Sequence, residues 1–217
     1  MKESGIYICI CHFFFVPLRA EFLCIYMNII NRVINKIVKK ARMWWYKNHS
    51  TLVPEGRAKY VQPVLFFGKG KVQIGAGNTF GFFPSPYYFN GYSHIEARHE
   101  DAWIKIGSNN HFNNNFSIVA EHAGVSIGND CLVGTNVSII NSDFHPISAA
   151  KRHGGGQKSK FVEIGNNVFI GSNVSICKGV HIGDNAVIAN GAVVFDDVKA
   201  NTIVRGNPAM FYKELYE

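Results

Sequence analysis

The chain has 217 residues, of which 47% are hydrophobic and 17% charged, and this size and composition fit one domain. Its formal net charge is +7, but no nucleic-acid-binding motif accompanies the excess, so a specific nucleic-acid partner is not expected. The cysteines are odd in number and lack metal-ligand spacing, which favours a reducing, cytoplasmic location and no metal site. They are Cys9, Cys11, Cys24, Cys131 and Cys177.

The first apolar stretch, residues 6–18, is too short to span a membrane, and Arg19 and Glu21 follow it at once. A secretory signal peptide fits poorly, because Glu3 lies in the segment that should be basic and no small-x-small cleavage site follows. Translation from Met27 is an open alternative, in which the preceding residues are a translated leader.

Residues 27–47 are predicted to form an amphipathic helix, because apolar side chains recur at the i, i+3, i+4 and i+7 spacing with basic side chains opposite. The apolar residues are Ile30, Val33, Ile34, Ile37, Val38, Ala41, Trp44 and Trp45, and the basic ones are Arg32, Lys36, Lys39, Lys40, Arg42 and Lys47. Two interpretations stay open. The helix covers the open end of a stack of coils, or it lies as a peripheral contact on an anionic membrane surface.

An aromatic run without any repeat follows at residues 80–92. It contains Phe80, Phe82, Phe83, Tyr87, Tyr88, Phe89 and Tyr92, interrupted by Pro84 and Pro86. We interpret this run as packing between the first coils, the helix and a neighbouring subunit. A platform for sugar rings is the alternative interpretation.

Further along the chain, a branched aliphatic side chain recurs every sixth residue, and a small or branched apolar residue follows each one four positions later. The leading positions are Ile164, Ile170, Ile176, Ile182, Ile188 and Val194, and the second set is Val168, Val174, Val180, Ala186, Ala192 and Val198. A helix cannot keep this pattern on one face, because six residues drift around its 3.6-residue turn. The fixed period predicts a parallel β-helix.

The same register occurs upstream in two coils, and a less regular copy of the hexapeptide lies at Ile74 and Gly75. These coils have Ile106, Phe112 and Ile118, and Ile127, Val133 and Ile139, at their leading positions. Three hexapeptides should form one triangular coil of about 18 residues with the leading side chain inward. Glycine and asparagine or aspartate should turn its corners, where a positive φ is often needed, at Gly165, Gly171, Gly183, Asn166, Asn167, Asn173, Asp184 and Asn185.

The repeat breaks between Ile139 and Ile164, so we predict a protruding loop over residues 141–161, and such interruptions tend to lie on the functional face. The loop opens with NSDFHPI, residues 141–147, and continues as a basic, glycine-rich segment, residues 151–160. The predicted organisation is therefore a leader and helix at residues 1–50, a β-helix domain at residues 60–210 and a C-terminal tail at residues 211–217.

Three segments carry a resemblance to a known family: DFHP at residues 143–146, IGNNV at residues 164–168 and NTIVRGNPA at residues 201–209. Residues 104–208 resemble the hexapeptide-repeat acyltransferases, and most closely the galactoside, maltose and nodulation acetyltransferases and the O-acetyltransferases of bacterial surface polysaccharides. The resemblance implies an all-β, left-handed parallel β-helix, with acetyl-CoA as co-substrate and a carbohydrate hydroxyl as acceptor. It also implies a homotrimer with active sites between subunits.

In that family a histidine at the start of the loop is the general base, and His145 matches it. An imidazole suits this role because it titrates near neutral pH and can take the proton of an attacking sugar hydroxyl. A carboxylate or a backbone carbonyl should orient the ring, and the acidic candidates are Asp143 and Glu121. The resemblance assigns stabilisation of the oxyanion to the backbone N–H of Ser172.

On the acceptor side, the resemblance implies that Asn113 contacts the reacting hydroxyl, that Glu121 binds the acceptor, and that Arg152 meets an acidic glycan. On the donor side, the matching positions are Phe169, Ser172, Asn190, Arg205 and Lys213. Two departures stand out. Phe169 replaces the tryptophan that relatives usually carry, and acidic residues at 196 and 197 replace a lysine that many relatives use for a phosphate contact.

Other functions stay open from the sequence. An amino-sugar N-acetyltransferase and a xenobiotic acetyltransferase share the same fold. A metal enzyme resembling the γ-class carbonic anhydrases would need three histidines on zinc, for which His94, His99 and His111 are the candidates. A non-catalytic scaffold or membrane-surface module, based on the basic helix, is a third class.

Overall fold

The computed structural model describes residues 30–156 and 158–215, and its contacts divide the chain into residues 1–42 and residues 43–217. The apolar stretch at residues 6–18 and the alternative start at Met27 lie outside the described residues. Helix α1 covers residues 30–49 and so includes most of the predicted helix. No helix of the described ranges is long and apolar enough to cross a membrane.

The C-terminal turn of α1 is fixed to the chain that follows it. The Ser50 hydroxyl donates to the carbonyl of Tyr46 (2.8 Å) and accepts a hydrogen bond from the backbone N–H of Phe66 (3.1 Å). The Tyr46 ring stacks on Tyr92, with ring centroids 4.6 Å apart. The end of the helix is therefore held by residues of the first coils, whereas several apolar side chains along α1 are exposed, namely Val33, Ile34, Ile37, Val38, Trp44 and Trp45.

Short strands build a three-faced prism in which each coil contributes one strand to each face. Face A contains β1 (Glu55–Gly56), β4 (Lys71–Ile74), β7 (Trp103–Ile106), β10 (Gly124–Ile127), β13 (Val162–Ile164) and β16 (His181–Ile182). Face B contains β2 (Lys59–Tyr60), β5 (Thr79–Phe80), β8 (His111–Phe112), β11 (Leu132–Val133), β14 (Phe169–Ile170), β17 (Val187–Ile188), β19 (Thr202–Arg205) and β20 (Met210–Glu214). Face C contains β3 (Val64–Gly68), β6 (Ser93–Ala97), β9 (Ser117–Ala120), β12 (Ser138–Ile140), β15 (Ser175–Ile176) and β18 (Val193–Val194).

All pairs between these strands are parallel except the last, because β19 and β20 form an antiparallel hairpin. Residues 211–214 of the predicted C-terminal tail belong to β20, which extends face B. The long loop between β12 and β13 contains a 3-10 turn at Ala149–Lys151.

The predicted inward positions form the core. Ile164, Ile170, Ile176, Ile182, Ile188 and Val194 are all at most 1% exposed, and the leading residues of the upstream coils are also buried. Parallel pairing stacks equivalent side chains directly, as in Ile127 on Ile164 and Ile139 on Ile176. Each fully buried isoleucine contributes about 1.5–3 kcal/mol relative to an exposed one, so the stacked columns dominate the stability of the prism.

The corners use glycine and asparagine for different reasons. Positive φ values occur at Asn167 (52°), Asn173 (59°) and Asn185 (59°), but not at Asn166 or Asp184. Gly165, Gly171 and Gly183 do not have a positive φ, which corrects the prediction for them. Glycine is needed at 165 and 171 because a Cβ atom would lie 2.4 Å from Asp184 Oδ1 at Gly165 and 2.3 Å from Asn190 Oδ1 at Gly171, in the next coil.

Two edges of the prism carry the insertions. The BC edge, where the chain passes from face B to face C, consists of residues 61–63, 81–92, 113–116, 134–137, 171–174 and 189–192. The CA edge, where it passes from face C to face A, consists of residues 98–102, 121–123, 141–161, 177–180 and 195–197. The aromatic run therefore begins in the core at Phe80 and protrudes from the BC edge, and the predicted loop protrudes from the CA edge.

The aromatic run is anchored by two buried amides. Asn114 Nδ2 donates to the carbonyls of Phe82 and Pro86 (both 2.9 Å), and Gln62 Nε2 donates to the carbonyl of Tyr87 (2.7 Å). Phe80 packs in the core on Phe112, with centroids 4.7 Å apart. The rings of Phe82, Phe83, Tyr87 and Phe89 are exposed, so packing within the chain accounts for only part of the run.

Candidate active site

His145 lies on the CA edge in a cavity of about 570 Å³. The cavity is lined by Ile140, Ser142, Asp143, Phe144, His145, Pro146, Ile147, Arg152, Cys177, Lys178 and Phe195. The His145 side chain is exposed, and its ring makes no hydrogen bond with any residue in the described ranges. An exposed imidazole in a roomy cavity is available to exchange a proton with a bound molecule.

The carboxylate of Asp143 does not contact His145. It forms an ion pair with the ammonium group of Lys178, which follows β15 in the next coil. The geometry therefore corrects the expectation that Asp143 orients the imidazole within this chain, because its charge is directed toward a cation on the cavity wall.

Glu121 is 2% exposed and lies behind the cavity, in the coil preceding the loop. Its carboxylate accepts a hydrogen bond from the Ser142 hydroxyl, and Oε1 lies 3.6 Å from Arg98 Nη1. Such burial leaves the carboxylate no surface with which to bind an acceptor. This burial differs from the accessible carboxylate that the assignment of Glu121 to acceptor binding predicts, and the His145 ring makes no hydrogen bond with Glu121.

Arg152 shares the cavity with His145. Its guanidinium donates to the carbonyl of Ile147 (3.3 Å) and is otherwise exposed. Together with Lys178 it places two cations on the cavity wall, against the single carboxylate of Asp143.

Three ionisation equilibria in and around the cavity are shifted. Burial, with a smaller contribution from the charge of Asp143, raises the pKa of the Cys177 thiol, so this cysteine is kept in its neutral form. Burial alone would raise the pKa of Glu96, but hydrogen bonds from Arg98 and His94 outweigh it and lower that pKa. The bond to Glu96 raises the pKa of Arg98 in turn.

The predicted donor-side residues form a column along the BC edge. Ser172 and Asn190 follow β14 and β17 in neighbouring coils, and Arg205 ends β19 in the coil after them. Asn113 follows β8 on the same edge, four strand positions from Arg205, or about 19 Å at about 4.8 Å per step. Successive coils thus bring residues that are far apart in sequence into one line parallel to the prism axis.

The backbone N–H of Ser172 is already used. It donates to Asn190 Oδ1 (2.8 Å), while the Ser172 hydroxyl accepts from the backbone N–H of Thr135 (3.2 Å) and from its hydroxyl (3.0 Å). This arrangement corrects the expectation that the Ser172 N–H is a free oxyanion donor.

The remaining donor-side candidates are on the surface. Phe169 is 49% exposed and lines a smaller groove of about 240 Å³ on face B together with Asn113, His111, Leu132 and Phe82. Arg205 lies over the Tyr212 ring (3.8 Å to the centroid), and Lys213 Nζ lies 5.9 Å from the same centroid. The hairpin thus presents two exposed cations, Arg205 at the BC edge and Lys213 opposite Ile203 on face B.

One chain brings together only some of the predicted site residues. His145, Asp143 and Arg152 share the cavity on the CA edge, whereas Asn113 and Phe169 share the groove on face B. Sequence reasoning missed Arg98, Ser142 and Lys178. Their signal was positional, since each follows a face C strand, and the coils stack them on the same edge as His145.

The histidines considered as zinc ligands do not converge. His94 on face C is paired with Glu96 (3.0 Å), His99 on the CA edge stacks on His122 with centroids 4.1 Å apart, and His111 lies on face B. Within residues 30–156 and 158–215, no group of three or more His, Cys, Asp or Glu side chains is placed to hold a metal ion.

Two family models match the repeats. The bacterial transferase hexapeptide (six repeats) matches residues 161–196, and the hexapeptide repeat of succinyl-transferase matches residues 104–140. Among curated relatives, the galactoside O-acetyltransferase of Escherichia coli strain K12 is 38% identical over 112 residues, which is 52% of this chain and 54% of the relative. The polysialic acid O-acetyltransferase of Neisseria meningitidis is 35% identical over 81 residues, 37% of this chain and 38% of the relative.

The chain spans about half the length of the first of these relatives and less of the second. Among solved structures, a galactoside acetyltransferase in complex with coenzyme A has a TM-score of 0.51 and 29% identity and covers 65% of each chain. An N-acyltransferase from Bacillus cereus has a TM-score of 0.55 at 14% identity, covers 77% of this chain and 83% of that one, and supports the fold alone. The parallel β-helix is therefore of the left-handed type.

Proposed function

We propose that this chain, which has hexapeptide repeats and a left-handed β-helix fold, transfers an acetyl group from acetyl-CoA to a hydroxyl of a surface polysaccharide or its precursor. The observation that carries the proposal is His145, an exposed imidazole in a large cavity at the root of the long loop on the CA edge. Both curated relatives named above are O-acetyltransferases, of galactosides and of polysialic acid.

His145 is the general base in this proposal. Its neutral imidazole takes the proton of the acceptor hydroxyl while that oxygen attacks the thioester carbonyl, and the resulting imidazolium returns the proton to the departing sulfur. One carbon–oxygen bond forms and one carbon–sulfur bond breaks, without a covalent intermediate on the protein. Acetyl-CoA supplies an activated acyl group with a good leaving group.

The donor binds along the BC edge. The residues there fit an elongated molecule with an anionic end, because Ser172 and Asn190 present polar groups along the edge and Arg205 and Lys213 add two exposed cations. Cationic side chains bind phosphate oxygens through charge-assisted hydrogen bonds. The exposed Phe169 ring lies beside the column and offers an apolar contact without the indole donor of a tryptophan.

A complete site then requires more than one copy of the chain. The donor column and His145 belong to different edges of the prism, so the BC edge of one copy must lie against the CA edge of its neighbour, and the cyclic homotrimer that the resemblance implies would provide this contact. In that arrangement Asn113 contacts the reacting hydroxyl across the subunit boundary.

The acceptor is a carbohydrate with acidic groups within reach of the loop. Arg152 and Lys178 make the cavity wall cationic. The basic, glycine-rich segment of the loop, residues 151–160, adds Lys151, Lys158 and Lys160 as further cations. The reaction takes place in the cytoplasm, where acetyl-CoA is available, and α1 brings the enzyme to the inner face of the membrane.

The direct test is an acetyl-transfer assay with purified protein and acetyl-CoA, in which released CoA is measured with a thiol reagent. The acceptors are 4-nitrophenyl β-galactoside, maltose, polysialic acid and glucosamine, and acetylated products are identified by mass spectrometry. Acceptor-dependent CoA release with an O-acetyl product supports the proposal. Acetylation of the glucosamine nitrogen alone would replace it with an N-acetyltransferase, and release from none of the acceptors, together with no CoA binding in calorimetry, would remove it.

A further inference from the structure

The root of the His145 loop is tied to the preceding coil by a buried amide. Asn141 is fully buried, and its Oδ1 accepts the backbone N–H of Glu121 (2.8 Å) while its Nδ2 donates to the carbonyl of Ala123 (2.8 Å). Face C pairing places the end of β12 beside β9, so these bonds link two insertions of the same edge. The loop therefore leaves the prism in a fixed direction.

The next residue continues this attachment toward the cavity. The Ser142 hydroxyl donates to the Glu121 carboxylate and accepts the backbone N–H of Phe144 (3.0 Å). Phe144 has a φ of 60°, a conformation that non-glycine residues rarely adopt, so the bond from its N–H helps to hold a turn that would otherwise be unfavourable. His145 follows directly on this turn.

Arg98 completes the cluster from a third coil. Its Nε donates to Glu96 Oε1 (2.8 Å), its Nη1 lies 3.6 Å from Glu121 Oε1, and its guanidinium lies 4.9 Å from the centre of the Phe144 ring. A single side chain thus contacts both the buried carboxylate and the residue before His145. The charge of Glu121, which is costly to bury alone, is compensated by this cation and by the hydroxyl.

We infer that Glu121, together with Ser142 and Arg98, positions the proposed general base His145 and does not bind the acceptor. This inference rests on the proposed function for the meaning of His145. A general base works when its nitrogen is held within hydrogen-bond reach of the proton that it removes, and a misplacement of about 1 Å costs on the order of 100-fold in rate. The cluster fixes the backbone on the N-terminal side of His145. This attachment matters because the imidazole itself has no hydrogen-bond partner in the described ranges.

The test compares two variants that remove the cluster in different ways. Ser142→Ala removes both hydroxyl bonds but leaves Glu121 beside Arg98, and Glu121→Gln keeps the shape but removes the charge. We expect kcat to fall by on the order of 100-fold in Ser142→Ala and by less in Glu121→Gln. In both variants the KM for acetyl-CoA and the KM for the acceptor should stay within about twofold of wild type. Ser142→Thr, which keeps the hydroxyl, should recover at least about tenfold over Ser142→Ala.

The matched control is Glu55→Gln, because Glu55 is an exposed carboxylate on β1 that bonds to Gln73 (2.9 Å) far from the CA edge. It should leave kcat unchanged. Circular dichroism and thermal melting check that every variant is folded. A Glu121→Gln variant with a raised acceptor KM and normal kcat would identify Glu121 as an acceptor ligand and overturn the inference, as would wild-type kcat in Ser142→Ala.

Crystal structures of wild type and Ser142→Ala separate this inference from the proposed function. We expect the 143–146 segment to shift by about 1 Å or more in the variant. If the wild-type protein transfers no acetyl group, the proposed function fails, and the shift alone decides whether the cluster positions His145. An unmoved His145 in the variant would overturn the inference whatever the activity.

Discussion

Asn113 and His145 lie on different edges of the same prism. Asn113 follows β8 on face B and lines a groove with Phe169, whereas His145 follows β12 on face C and lines the cavity of the CA edge. The two residues that the resemblance assigns to one hydroxyl therefore belong to separate surfaces of one chain. A joint role requires the BC edge of one copy to meet the CA edge of another.

Mixing two inactive variants should restore activity. Asn113→Ala and His145→Ala each disable every site of their own homotrimers, but a mixed trimer contains boundaries with an intact Asn113 on one side and an intact His145 on the other. Each mixed trimer keeps one intact boundary out of three, so trimers that contain both variants should have about a third of the wild-type sites. The measurement is the transfer rate of trimers that carry two different affinity tags and are purified on both. Inactive mixed trimers would place both residues in a site made by a single chain.

His145→Gln should lower kcat by about 10²–10⁴-fold, because removal of a general base costs that range and glutamine cannot accept the proton. The side chain is exposed, so the melting temperature should stay close to that of wild type. His181→Gln is the control, since His181 is also exposed but is paired with Glu163 (3.2 Å) on face A. Full activity of His145→Gln, or an equal loss in His181→Gln, would contradict the assignment of the base.

The sequence was sufficient for the prism and for the position of the loop. Stacked coils repeat one inward position, so Ile164 and Ile176 were identifiable as core residues from their spacing, and the break after Ile139 identified the insertion. The pattern did not reveal why Gly171 is glycine, since that depends on Asn190 in the next coil. A periodic sequence predicts which residues point inward, but not which side chains approach from neighbouring coils.

The polar contacts of the site were less predictable for the same reason. Asp143 was expected to contact a histidine two residues away, but it pairs with Lys178, which is distant in sequence and adjacent in the stack. Glu121 was expected to be accessible, but Arg98 and Ser142 enclose it from the coils on either side. Charge pairing on this edge is decided across coils, and the number of residues in each insertion sets which side chains meet.

Arg205→Ala should weaken CoA binding by about tenfold, because a charge-assisted hydrogen bond to phosphate is lost from the end of the donor column. Isothermal titration calorimetry with CoA measures this directly. Lys105→Ala removes an exposed cation from β7 on face A and serves as the control for the general effect of charge. Equal affinity in Arg205→Ala and wild type would remove Arg205 from the donor site and leave it as a partner of Tyr212.

Glu96 should contribute a pH-dependent part of the stability. Burial opposes ionisation of its carboxyl, but the bonds from Arg98 and His94 dominate, so the pKa in the folded protein is below the ordinary value of 4.5. A lowered pKa stabilises the folded state at pH values above the unfolded-state pKa, and this stabilisation is lost as the pH falls through the folded-state pKa. The Glu96 side chain is 12% exposed, so solvent screening is small.

Glu96→Gln should therefore lower the free energy of unfolding by about 1–3 kcal/mol at neutral pH, and the difference from wild type should shrink as the pH approaches about 3. Urea denaturation of both proteins over this pH range measures the difference, and it cancels the titration of carboxyl groups that the two proteins share. Glu55→Gln removes an exposed carboxylate and should show no comparable trend. A difference that stays constant from neutral to acid pH would mean that the shape of the Glu96 side chain, and not its charge beside Arg98, stabilises this part of face C.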